Sequence, residues 1–167
     1  MPIKFEFNAR PIFDYLARVS AALSDMTPVY EDIGEQLLTS TRERFKRGEA
    51  PDGSRWAPKK ASTIARYLEA GDGHRPDPLI GPSRRLSTEI NVMATRDSVE
   101  IGSALEYSAV MQEGAAKGAF GRNSRGGPIP WGDIVPRVWL GLSDTDNRNI
   151  IEIVDEHLGE QIDADRH

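Results

Sequence analysis

The chain of 167 residues contains no cysteine. That excludes disulfides, thiolate metal sites, iron–sulfur clusters and thiol nucleophiles. Histidine is scarce: His74 in a Gly/Pro loop, His157 on a helix and His167 at the terminus. No His-x-x-x-His pair occurs, so the zinc-hydrolase pattern is missing. Gly-x-Ser-x-Gly and the phosphate-cradling Gly-x-x-x-x-Gly-Lys-Ser/Thr are missing as well. Gly118-Ala119-Phe120-Gly121 and Gly126–Gly127 lack the strand–turn–helix setting of a dinucleotide site, and no cofactor is expected. Glu113 is a lone carboxylate near a loop, without a partner that the sequence can place across a cleft. Apolar runs are short, as in Ile150–Ile151 and Val138-Trp139-Leu140. None approaches the roughly 20 residues of a membrane-spanning helix. Met1–Arg10 carries Lys4, Glu6 and Arg10 and reads as no secretory leader.

What is present fits one modest globular core. Hydrophobic residues make up 38% of the chain, with 15 glycines besides. Pro11 to Leu23 reads as a short helix. Thr27–Pro28 starts the strongest pattern, with Thr27 as the expected cap. Tyr30, Ile33, Leu37, Leu38 and Phe45 recur near a period of 3.6, with Gly34 and Thr41 on the same face. This predicts a long amphipathic helix from Pro28 to about Lys46, stopped by Gly48. Pro51-Asp52-Gly53 predicts a turn leading into Trp56. Ser62 is expected to cap a helix to about Leu68, and Ala70–Pro82 to be a mobile loop. One or two helical turns are expected within Arg84–Ile90. Ile90–Thr95 and Ser98–Gly102 alternate around Arg96–Asp97 and predict a β-hairpin. Ala104–Gly114 returns to helical spacing, and Arg137–Leu140 reads as a strand or an extended segment. Ser143 is expected to cap a C-terminal helix with Asp144 and Asp146 in its first turn. The fold class is α+β: a small antiparallel sheet packed with helices, one of them long, plus long loops. Residues 1–25 read as an N-terminal extension serving as an assembly arm, and 26–167 as a single domain.

Net charge is −5, which disfavours a globally basic nucleic-acid binder. The charge is uneven. Arg42–Arg85 holds 11 basic against 6 acidic residues, and Ser143–His167 holds 2 against 8. Such ends read either as solvated surface or as complementary faces for head-to-tail contact. Lys117, Arg122 and Arg125 give the loop Ala115–Pro128 three positive charges and no negative one. With Arg42, Arg44, Lys46 and Arg47 they offer phosphate attraction. No helix-turn-helix spacing or aromatic–basic sheet motif accompanies them. Trp56, Trp131 and Trp139 all fall in loops or short segments. They read either as interface anchors or as pins holding loops to the chain's own core.

Five motifs occur in order after the long helix. They are Pro51-Asp52-Gly53-Ser54-Arg55-Trp56, Leu79-Ile80-Gly81-Pro82-Ser83-Arg84-Arg85-Leu86, Val99-Glu100-Ile101-Gly102, Tyr107-Ser108-Ala109-Val110-Met111-Gln112-Glu113-Gly114, and Ile134-Val135-Pro136-Arg137-Val138-Trp139-Leu140-Gly141. Together they resemble the phage virion morphogenesis family, the Mu-like G protein and tail-completion group, over roughly Met26 to Ile162. Pro82–Ser83 stands where the family often has Thr–Gly, and Met1–Asp25 looks like an extension ahead of its usual start. The resemblance implies a non-enzymatic subunit of the neck of a tailed phage, made in the host cytoplasm and resident in the virion. It implies a homo-oligomeric ring, a hexamer, between head connector and tail terminator or tail tube. DNA would pass through its lumen without sequence specificity, and no membrane is involved. Trp56, Trp131, Arg137 and Trp139 are then candidate interface residues. Lys117, Arg122 and Arg125 are candidates to line the DNA channel or touch a neighbouring ring, and Arg137 is expected to pair with a carboxylate or with backbone carbonyls. The rival readings are a small phage-encoded hydrolase of cell-wall glycan or nucleic acid, and a DNA-binding regulatory module.

Overall fold

A computed structural model describes residues 9–163. Residues 1–8 of the expected assembly arm, and the terminal His167, lie outside the described residues. The chain order is α1 (Arg10–Ala22), α2 (Thr27–Arg47), α3 (Ala61–Glu69), α4 (Arg85–Thr88), β1 (Asn91–Ala94), β2 (Val99–Gly102), α5 (Ser108–Glu113) and α6 (Asp144–Asp163). This is the α+β arrangement the sequence implies, with α2 as its spine.

The α2 stripe is buried as its spacing requires. Val29, Ile33 and Leu37 form one core cluster, packed by Val99 and Ile101 of β2 and by Ile150, Ile153 and Val154 of α6. Phe45, at the far end of α2, joins Ala50, Trp56, Leu86, Ile90 and Trp139 in a second cluster. The hairpin pairs Val92 with Ile101 and Ala94 with Val99 in antiparallel register and lies on α2. Gly34 permits that approach: a Cβ there would fall on Val92 Cγ1 and come within 3.2 Å of Val99 Cγ2.

Several ends differ from the sequence reading. Thr27 does not cap α2; its N–H is bonded at 3.0 Å by the Asp25 carboxylate. Ser62 does not cap α3, which begins at Ala61 with no side-chain cap. The α5 helix is shorter than the apolar spacing of Ala104–Gly114 implies. Ser103 bonds locally instead: its hydroxyl accepts the Leu105 N–H, and its carbonyl accepts the Ser108 hydroxyl. Gly114 ends α5 with φ of 76°, and a Cβ there would sit 2.5 Å from the Ile134 carbonyl oxygen. That single position thus closes a helix and admits a crossing strand of loop. Ser143 does cap α6. Its hydroxyl receives the Asp146 N–H at 3.1 Å, and the Asp146 carboxylate receives the Ser143 N–H at 2.8 Å.

Candidate functional site

The irregular segments are held in place by a few polar side chains, and most come from the five motifs. In the Pro-Asp-Gly turn, the Asp52 carboxylate accepts the Ser54 N–H at 2.9 Å and the Ser54 hydroxyl at 2.6 Å. This directs Trp56 inward, where it is 6% exposed and meets Phe45 edge-on at 5.2 Å. The Trp56 indole donates to the Val138 carbonyl at 2.8 Å. Trp139 is 1% exposed, and its indole donates to the Ser108 carbonyl at 3.2 Å. The extended segment around it forms no ladder. Gln112 of α5 serves as its edge instead: its carbonyl oxygen accepts the N–H groups of Trp139 and Leu140, and its amide donates to the Leu140 carbonyl. Arg137 donates to the carbonyls of Ala57 at 2.7 Å and Pro58 at 3.0 Å. Burial draws its pKa down, and no carboxylate among the described residues pairs with it.

Arg44 is the residue that sequence reading misassigns. The sequence groups it with cations that offer phosphate attraction, yet it is buried and ion-paired with Asp146 at 2.9 Å. Its other donor groups reach the Gly141 carbonyl at 2.9 Å and Ser40 Oγ at 3.1 Å. The signal was available, since Arg44 falls three positions after Thr41 and seven after Leu37, on the buried stripe. Asp146 stands in the first turn of α6 as its sequence predicts, and it is buried there as well. Burial pushes its carboxyl up, but hydrogen bonds from Ser40 and Ser143 and the charge of Arg44 hold it below the usual range.

Once the motifs are assigned to folding, the remaining surface is distinctive. Trp131 is 77% exposed. It borders a cleft of about 600 Å³ between α3, the segment Leu79–Leu86 and the segment Pro130–Arg137. Leu79, Leu86, Met111 and Ile134 lie within it, and Lys59, Lys60 and Arg66 line one side. Lys59 stands 5.0 Å from the Tyr67 ring and donates to the carbonyls of Arg75 and Ile80. It thereby ties down the loop that the sequence marked as mobile. Burial lowers its pKa, with Asp77 opposing. Lys117, Arg122 and Arg125 are exposed on a loop that folds back on itself through an Ala115–Ile134 bridge and an Arg122–Pro128 bridge. Arg122 donates to the Gly126 carbonyl at 2.8 Å. The three candidate tryptophans therefore do not form one patch: Trp56 and Trp139 fill the core, and Trp131 alone faces outward. Among the described residues, no three His, Asp or Glu side chains are grouped to hold a metal ion.

The profile of the phage virion morphogenesis family matches residues 7–159. The chain belongs to that family. No curated protein and no solved structure matches it. The matched span begins at residue 7, so α1 lies inside the family region rather than ahead of it. Membership in the virion morphogenesis family gives the chain a structural or assembly role in a phage virion. The geometry gives residues of the five sequence motifs a physical purpose: Trp56, Gln112, Gly114, Arg137 and Trp139 pack loops that have little regular hydrogen bonding of their own.

Proposed function

We propose that the protein is a subunit of the neck of a tailed phage, acting in head–tail joining or tail completion. Copies close into a ring, sixfold by the family resemblance. The ring sits between the head connector and the tail terminator or tail tube, and DNA passes through its lumen. One observation carries this reading. The chain belongs to a virion-assembly family, its core is filled by residues such as Trp56 and Trp139, and among the described residues apolar and cationic groups remain exposed at its surface. Trp131 is one such group. Phe13 on α1 is another, 67% exposed beside the exposed Leu16, and it supports the reading of α1 as part of an assembly arm. Lys117 and Arg125 extend free charge from a folded loop. They suit contact with a neighbouring ring or with passing DNA, where phosphate contacts carry no sequence information.

Light scattering of the purified protein, alone and with isolated tails, tests the proposal. A ring mass, or a monomer that becomes tail-bound, is the expected result. A monomer that ignores both tails and capsids would overturn it.

A further inference from the structure

We propose that the cleft beside α3 receives the acidic outer face of α6 from a second copy of the chain. This rests on the ring reading and adds which two surfaces meet.

The cleft lining includes the half-buried Leu79, Met111 and Ile134, the core residue Leu86, and the cations Lys59 and Lys60 just before α3 and Arg66 on it. Arg66 differs from the rest, and Lys60 is held by a single exposed bond. Arg137 and Lys59 are tied to backbone carbonyls, and Arg85 is paired with Glu89. Arg66 is exposed, and its guanidinium has no hydrogen bond or ion pair among the described residues. Lys60 makes one exposed bond, to the Asp133 carbonyl at 3.1 Å. The one carboxylate in the lining, Asp133, already accepts the Lys117 N–H. An acidic, partly apolar ligand is what this lining leaves unsupplied.

The outer face of α6 has the opposite character. Ile150, Ile153 and Val154 pack inward on α2. Helical spacing then places Ile151, Glu152 and Asp155 on the outside, and all three are exposed. Ile151 is 61% exposed. Glu152, Asp155, Glu156 and Glu160 have no ion pair among the described residues. The result is an apolar knob flanked by the carboxylates of Glu152 and Asp155, with Arg148 one turn earlier on the same face, set against a cleft with apolar lining and the cations Lys60 and Arg66. No residue of α6 lines the cleft, so one copy can give and receive at once. That is a heterologous contact, the kind that repeats around a closed ring. DNA phosphate would answer the cations but leave the apolar lining and Trp131 uncovered.

The test uses full-length protein and exploits the absence of native cysteine. Arg66→Cys and Ile151→Cys variants, one of them tagged, are mixed and oxidised at the concentration where wild type assembles. Mixed disulfide dimers should form in excess over a control with cysteine at Asp97, in the hairpin turn. In parallel, sedimentation is measured for the pair Lys60→Glu/Arg66→Glu and for the pair Glu152→Lys/Asp155→Lys. Each pair should weaken self-association about tenfold or more, and the four changes together should restore it. Melting temperatures near wild type show that the variants fold. If wild type assembles but neither pair matters, or cross-linking does not exceed the control, this contact is wrong while the ring reading stands. If wild type stays monomeric with and without tails, the ring reading fails and the contact with it. If only the cleft pair abolishes tail binding, the occupant is an acidic partner protein, and the proposal of a second copy is overturned.

Discussion

Asp146 and Arg44 are separated by most of the chain, yet they form an ion pair at 2.9 Å in which both side chains are buried. The pair is closed by Ser143, Ser40 and the Gly141 carbonyl, so it joins the end of α2 to the start of α6. Removing one partner strands the other, a change that costs about 3–5 kcal/mol at a buried pair. Asp146→Asn should therefore lower the stability read by urea denaturation at neutral pH by about that amount. The pH dependence has a definite sign. The native carboxyl of Asp146 lies below its ordinary value, so the unfolded chain takes up its proton first as pH falls. The stabilisation is complete above the unfolded carboxylate value and is lost as pH drops through the native one. The wild type should lose more stability than Asp146→Asn between neutral pH and about pH 3. Equal acid losses in the two proteins would refute the assignment.

Among the elements, α2 decides the packing of the rest. It touches the hairpin, α4 and α6. The sequence made this helix legible because its apolar residues repeat at the helical period. It did not reveal how closely the hairpin would approach, because that distance is set by the register of β1 with β2 across Gly34. Gly34→Ala would gain helix propensity of about 1 kcal/mol. It would also drive a methyl into Val92, and overpacking of this kind costs about 1–3 kcal/mol. The overlap is severe enough that the net effect should be a loss, seen as a lower melting temperature. A melting temperature at or above wild type would show that the hairpin can shift.

At the scale of the whole molecule, two clusters of core residues share one helix, and the loops are gathered on the second cluster by Trp56, Gln112, Arg137 and Trp139. The surface away from them bears the groups available for assembly. Trp131→Ala should change folding stability by no more than about 0.5 kcal/mol, as for an exposed site. The same change should weaken self-association or tail binding in the light-scattering experiment. A large loss of stability would place the Trp131 ring in the fold instead, and unchanged association would remove it from the interface.

The sequence by itself determined the helices with periodic apolar faces, the hairpin, the Pro-Asp-Gly turn, the Ser143 cap and the absence of thiol chemistry. These depend on neighbours within a few positions, where spacing and side-chain type suffice. Its ordered motifs also pointed to the family. Only the tertiary structure decided which charged residues are buried and which tryptophans face outward. Arg44 and Lys46 are two positions apart with similar charge, yet one is sealed against Asp146 and the other is exposed. Trp131 and Trp139 sit in one Pro-rich stretch, yet one is solvated and the other fills the core. Burial at such positions depends on groups about a hundred residues away for Arg44 and across α5 for Trp139. Local pattern puts Arg44 on the buried stripe but does not name the group that closes its ion pair, and it does not separate Trp131 from Trp139, because those partners meet only when the chain closes on itself.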